Sequence, residues 1–174
     1  MLFRSGIKQA LDCVSNLGND IQALTHRLHS PKLEYLGLER ASASFCSELS
    51  VRHKVKIDFH SENIPKNLPK EVSFCLFRVL QEALHNSPKH SGVRHFGVRL
   101  WLSSDKVHLA VSDSGAGFDI KTAMKGRGLG LTSMRERVRL VNGTIVIDSK
   151  PMGGTTIHVF VPLESQQASQ RESV

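Results

Sequence analysis

Lys106-Val107-His108-Leu109-Ala110-Val111-Ser112-Asp113-Ser114-Gly115-Ala116-Gly117-Phe118 lies at the centre of the chain's pattern. An apolar strand runs into an acid and then into two glycines one residue apart. Ionised Asp113 offers only acceptors, which suits an exocyclic amine such as adenine's. Gly115 and Gly117 remove side chains where a flat ring must approach the backbone. A glycine-rich turn that merely closes a strand has the same appearance, and this segment alone does not choose between the two.

Upstream, Phe96 to Leu102 forms a hairpin with Lys106 to Ser112 across the polar turn Ser103-Ser104-Asp105. Before it, Lys70 to about Asn86 reads as a helix that buries Val72, Leu76, Val79, Leu80 and Ala83. Glu82 and Asn86 lie four apart on one face of it, and Lys89 and His90 extend that face by a turn if the helix continues. A carboxylate beside a carboxamide suits hydrated Mg²⁺, and a lysine one turn on can reach phosphate. Taken alone, these residues read equally as a solvated helix face. Pro88 predicts that the helix kinks or ends there, because proline removes one helical hydrogen bond and clashes with the preceding turn.

Downstream, Gly126-Arg127-Gly128-Leu129-Gly130-Leu131 opens a helix that runs to Val141 and stops at Asn142-Gly143. Leu131, Met134, Val138 and Val141 fall on its buried face, with Arg135, Arg137 and Arg139 outside. Closely spaced glycines before a helix N-terminus present backbone N–H groups to an anion. No Gly-Lys-Ser/Thr follows, so this is not a Walker loop. Strands at Thr144 to Ser149 and Thr155 to Val161 complete the pattern, joined by the Lys150–Gly154 turn. All three glycine or carboxamide pieces, in this order and on these elements, are far more specific than any one.

At the N-terminal side, Val14, Leu17, Ile21, Leu24 and Leu28 mark the seam of a bundled helix that Ser30-Pro31 ends. A second helical stretch, about Glu34 to Ser50, aligns Leu38, Ala41, Phe45 and Leu49. Val55, Ile57 and Phe59 alternate with Lys56, Asp58 and His60 as a strand, and Ser61 to Pro69 reads as a loop. The expected fold is α+β, a mixed sheet covered by helices on one face. The expected divisions are residues 1–50, a helical segment that needs a partner or a dimer; 51–163, the compact domain; and 164–174, a disordered polar tail.

The 174 residues carry 23 Lys+Arg against 16 Asp+Glu, a formal charge of +7, with 40% hydrophobic residues. That balance favours a polyanionic partner without naming one. No apolar run approaches the roughly 20 residues that cross a bilayer, and Arg4, Lys8 and Gln9 interrupt any signal-peptide core. The expectation is a cytosolic chain with no membrane segment. Cys13, Cys46 and Cys75 lack metal-ligand spacing and read as reduced thiols.

With these residues quoted, the sequence resembles, over roughly residues 11 to 163, the ATP-binding catalytic domain of bacterial sensor histidine kinases. Their superfamily includes gyrase, MutL and the heat-shock ATPase chaperones. Gln81 to Asn86 looks like the family's N box, Asp113 to Gly117 its first glycine box and Gly126 to Leu131 its second. Gly154-Thr155-Thr156 resembles its closing element. The stretch Leu24 through Leu38 is similar to the second dimerisation helix and linker of the subgroup paired with NarL-type response regulators.

The resemblance implies the two-layer sandwich of that superfamily, with ATP and Mg²⁺ as cofactors. Asn86 would hold Mg²⁺, with Glu82 as a further polar contact or base. Lys89 would approach the phosphates and His90 the ribose or phosphate edge. Asp113 would read the adenine amine, helped by Thr155 or Thr156 through water, while Gly115 and Gly117 admit the ring. Gly126, Gly128, Gly130 and Leu131 would form the lid over the triphosphate, with Lys125 and Arg127 as charge partners. The implied partners are a NarL-type response regulator and, in a full-length protein, a second copy.

The family's phosphoacceptor is a histidine followed by Asp or Glu on the first dimerisation helix. None of the nine histidines here precedes an acidic residue. His26 and His29 therefore read as structural or interfacial. The expectation is half of a dimerisation hairpin plus a whole catalytic domain, which binds ATP without phosphorylating itself on the usual histidine. Two other readings fit the same residues less well. An anti-sigma-factor-like serine kinase shares the ATP fold, but the Thr25 to Leu38 segment argues against it. A basic nucleic-acid module would need more aromatic residues than one Trp and one Tyr, so no nucleic-acid partner is expected.

Overall fold

A computed structural model describes residues 31–90, 92–120, 123 and 129–163. The seam from Val14 to Leu28, the Lys125–Gly128 part of the second glycine segment and the tail from Glu164 lie outside the described residues. The chain divides into two compact units between Tyr35 and Leu36, and the unit from Leu36 onward is described below. Helix α1, Pro31–His53, is broken at Gly37, whose φ of 74° and ψ of 171° are non-helical. Past that break it buries Leu38, Ala41, Cys46 and Leu49. Phe45 stays half-buried and meets Phe77 edge to face at 5.9 Å.

Strand β1, Lys56–Glu62, reaches two residues into the expected loop. Its parallel pairing with β2, His95–Ser103, continues through Ser61↔Leu100 and Glu62↔Trp101, so backbone ladder bonds override the polar side chains there. Helix α2, Lys70–His90, runs past Pro88, which corrects the expected break. Pro88 sits in the last turn; its fixed φ is helical, and it costs the one hydrogen bond its missing N–H would make to Leu84. All five residues expected in the α2 core are buried: Val72, Leu76, Val79, Leu80 and Ala83.

Strand β3 is Lys106–Asp113, helix α3 is Leu129–Leu140, and strands β4 and β5 are Thr144–Ser149 and Thr155–Pro162. The α3 core is Met134 and Val138, with Leu131 and Val141 half-buried. Arg137 and Arg139 are exposed as expected, whereas Arg135 is half-buried. The five strands order as β1-β2-β3-β5-β4, parallel only between β1 and β2. Alternation puts Phe96, Val98, Leu100, Val107, Leu109, Val111, Ile157, Val159 and Val161 on the inner face, where α2 and α3 pack. This is the two-layer, mixed-sheet architecture the sequence pattern implies.

The outer face carries a row of rings that stand on edge across three strands. Trp101 stacks on His108 at 4.8 Å, and His108 meets Phe160 at 5.9 Å. His108 Nδ1 lies 3.2 Å from His158 Nε2. Partial burial, with the neighbouring His108 charge added, holds the His158 imidazole below its ordinary pKa of 6.5. The folded chain therefore disfavours the protonated ring. The stability this contributes is present above pH 6.5 and is lost as pH falls through the folded-state value. Thermal unfolding between pH 5 and pH 8 should show a midpoint that falls on the acid side. His158→Gln should flatten that fall, and an unchanged slope would contradict the assignment.

Candidate functional site

One inner-face row crosses the whole sheet in register: Ile57, Phe96, Asp113, Thr155 and Ser149. Its apolar half continues the core, and its polar half lies where β3 ends and the β4–β5 hairpin turns. Asp113 is half-buried there. Its Oδ1 accepts a 2.8 Å hydrogen bond from the Gly115 N–H, so the carboxylate is oriented by its own loop.

That loop is stitched to the Lys150–Gly154 turn. The Gly154 N–H donates to the Gly115 carbonyl at 2.9 Å, and the Met152 N–H donates to the Ala116 carbonyl at 2.6 Å. The Phe118 N–H donates to Ser149 Oγ at 2.9 Å. Ser149 Oγ donates in turn to the Gly154 carbonyl at 3.1 Å and lies 2.9 Å from Thr155 Oγ1. Ser149 is buried and closes this network. A serine at a strand end carries no periodic signal, and only its register opposite Thr155 reveals the role.

Two glycines are demanded by this close approach. Gly117 has φ +57°, and a Cβ there would collide with the carbonyl oxygens of Lys150 and Gly154. Gly154 has φ +73°, and a Cβ would collide with the Asp113 carbonyl oxygen. Gly117 is thus required by chain-on-chain packing, a cause the sequence pattern did not disclose.

The other expected site residues fall as follows. Glu82 is half-buried on α2, and Asn86, Lys89 and His90 continue the same helix, which packs against β3. Thr156 points to the outer face opposite Ser112 and Asp148, so of the two threonines only Thr155 shares the face of Asp113. Gly130 and Leu131 lie within the first turn of α3, not in the loop before it. Gly126 and Gly128 lie outside the described residues. Among the described residues, no three His, Cys, Asp or Glu side chains converge on a metal position. No described helix is long and apolar enough to cross a membrane.

The chain is 35% identical over 150 residues to the oxygen sensor histidine kinase NreB of Staphylococcus carnosus, covering 86% of this chain and 43% of that protein. It is 32% identical over 169 residues to the sensor histidine kinase MctS of Rhizobium johnstonii, covering 96% of this chain and 36% of that protein. The chain thus spans less than half the length of these curated relatives. Among solved structures, the blue-light activated histidine kinase of Erythrobacter litoralis superposes with a TM-score of 0.66 at 17% identity. That match covers 87% of this chain and 52% of the other. Acinetobacter baumannii histidine kinase AdeS superposes with a TM-score of 0.58 at 14% identity, over 91% and 84%. These likenesses carry the fold. Residues 71–165, more than half of the chain, match the model of the histidine kinase-, DNA gyrase B- and HSP90-like ATPases, and the chain belongs to that family.

Proposed function

We propose that this chain supplies the ATP-binding, phosphoryl-donating half of a sensor histidine kinase. The observation that carries the reading is the Asp113 carboxylate, oriented by Gly115 and set beside Thr155 at the end of β3. Its second oxygen is the acceptor for a purine amine, and Thr155 supports a bridging water. Asn86, with Glu82 one turn before it, would hold Mg²⁺; Lys89 and His90 would meet the phosphates and ribose. Gly126 through Leu131 would cover the triphosphate, with Lys125 and Arg127 balancing its charge. Bound Mg²⁺–ATP supplies the transferable phosphoryl group. The chain's residues contribute position and charge balance, as such transfers require.

The sequence similarity from Leu24 through Leu38 supports a NarL-type response regulator as the final acceptor and a dimer in a longer protein; unpaired cysteines and the interrupted apolar run near Arg4 and Lys8 support a cytoplasmic location. Because no histidine here precedes an acidic residue, the first acceptor lies outside these 174 residues. Labelled ATP should leave no acid-labile phosphate on this chain alone. Adding a dimerisation helix that bears a His-Asp or His-Glu pair should yield labelled phosphohistidine on that helix. Label on a histidine of this chain, or none on the added helix, would overturn the reading.

A further inference from the structure

Away from the Asp113 row, the N-terminal half of α2 and the C-terminal turn of α3 border a cavity of about 410 Å³. Neither Asp113 nor Thr155 lines it. Its size falls within the roughly 300–1,000 Å³ range of small-ligand pockets. Phe74 and Cys75 contribute apolar wall, and Leu140, 84% exposed, extends that wall outward. Lys70, Arg78 and Arg137 also line it, with Glu71 as the lone carboxylate.

Both guanidinium groups are held in place. Arg78 is buried, donates from Nη1 to Gln81 Oε1 at 3.0 Å, and lies 5.1 Å over the Phe74 ring. Arg137 donates from Nε to Ser133 Oγ at 3.2 Å. Its charge reaches the cavity wall: burial pushes the Cys75 thiol up to about 11, and Arg137 pulls the other way. An apolar wall alone would accept any greasy group. Three cations, two of them held in place, against one acid favour an anion over neutral and cationic occupants.

We propose that this cavity binds a small organic anion with an apolar body, such as a medium-chain or aromatic carboxylate. Its charged head meets Arg137 and Lys70, and its body lies on Phe74, Cys75 and Leu140. This site is separate from the nucleotide site and stands whether or not the kinase reading does.

Anilinonaphthalene sulfonate is a suitable probe, because it joins aromatic rings to one fixed negative charge. With Mg²⁺ and a non-hydrolysable ATP analogue already saturating, its fluorescence should rise to one saturable plateau. Decanoate should displace it, and the uncharged phenylnaphthylamine should bind far more weakly. Arg137→Gln and Lys70→Gln, both at exposed positions, should each weaken it about tenfold, the worth of one charge-assisted hydrogen bond. Equal binding of the uncharged relative, unchanged affinity in both variants, or displacement only by nucleotide would overturn the proposal.

Discussion

Asp113→Asn should lower the affinity for a non-hydrolysable ATP analogue with Mg²⁺ by roughly 100-fold, a loss of about 3 kcal/mol. The carboxylate can accept on both oxygens at once, from the Gly115 N–H on one side and from a purine amine on the other. An asparagine accepts on one side only. It must either leave Gly115 unsatisfied or turn its own NH₂ toward the ligand amine. The substitution preserves volume, so the fold should survive and the thermal midpoint should barely move. Calorimetry on the two proteins side by side decides the matter. Equal heats would show that Asp113 does not read the base.

A large stability effect is expected at Gly154. Alanine there must adopt a φ of +73°, which costs L-residues about 1–2 kcal/mol. Its Cβ also meets the Asp113 carbonyl oxygen and, at 3.0 Å, the Ser114 Cα, both backbone atoms that cannot swing aside. Overpacking of this kind adds about 1–3 kcal/mol. The sum, about 3 kcal/mol or more, should lower the thermal midpoint by about 10 °C. It should also weaken nucleotide binding, because the displaced backbone carries Asp113. Gly153→Ala is the control: it carries no positive φ, and its nearest neighbours are Lys150 atoms at 3.4 Å. That variant should stay within about 0.5 kcal/mol of the parent. Similar urea midpoints for the two alanine variants would refute the packing argument.

The α2 helix shows how far local pattern reaches. Its buried face from Val72 to Ala83 follows from the 3.6-residue period, which is written into neighbouring side chains. Its end does not follow, since Pro88 works against the turn before it and the helix nonetheless runs on to His90. The Thr155–Thr156 pair shows the same limit in a strand. Both residues fit the sequence pattern, and a single step of register sends one to the inner face and the other to the outer.

What the amino-acid order determined by itself was therefore local: which segments coil or extend, which side they bury, and where acid, amide and glycine chemistry occurs. Tertiary structure alone decided the strand order, the parallel β1–β2 edge, the choice of Thr155, the seat of Ser149 and the basic cavity between α2 and α3. The physical reason is range. Periodicity and backbone preference act over one or two turns, whereas Ser149 on Phe118, or Arg137 beside Cys75, joins residues far apart in the chain that only packing brings within a few ångströms.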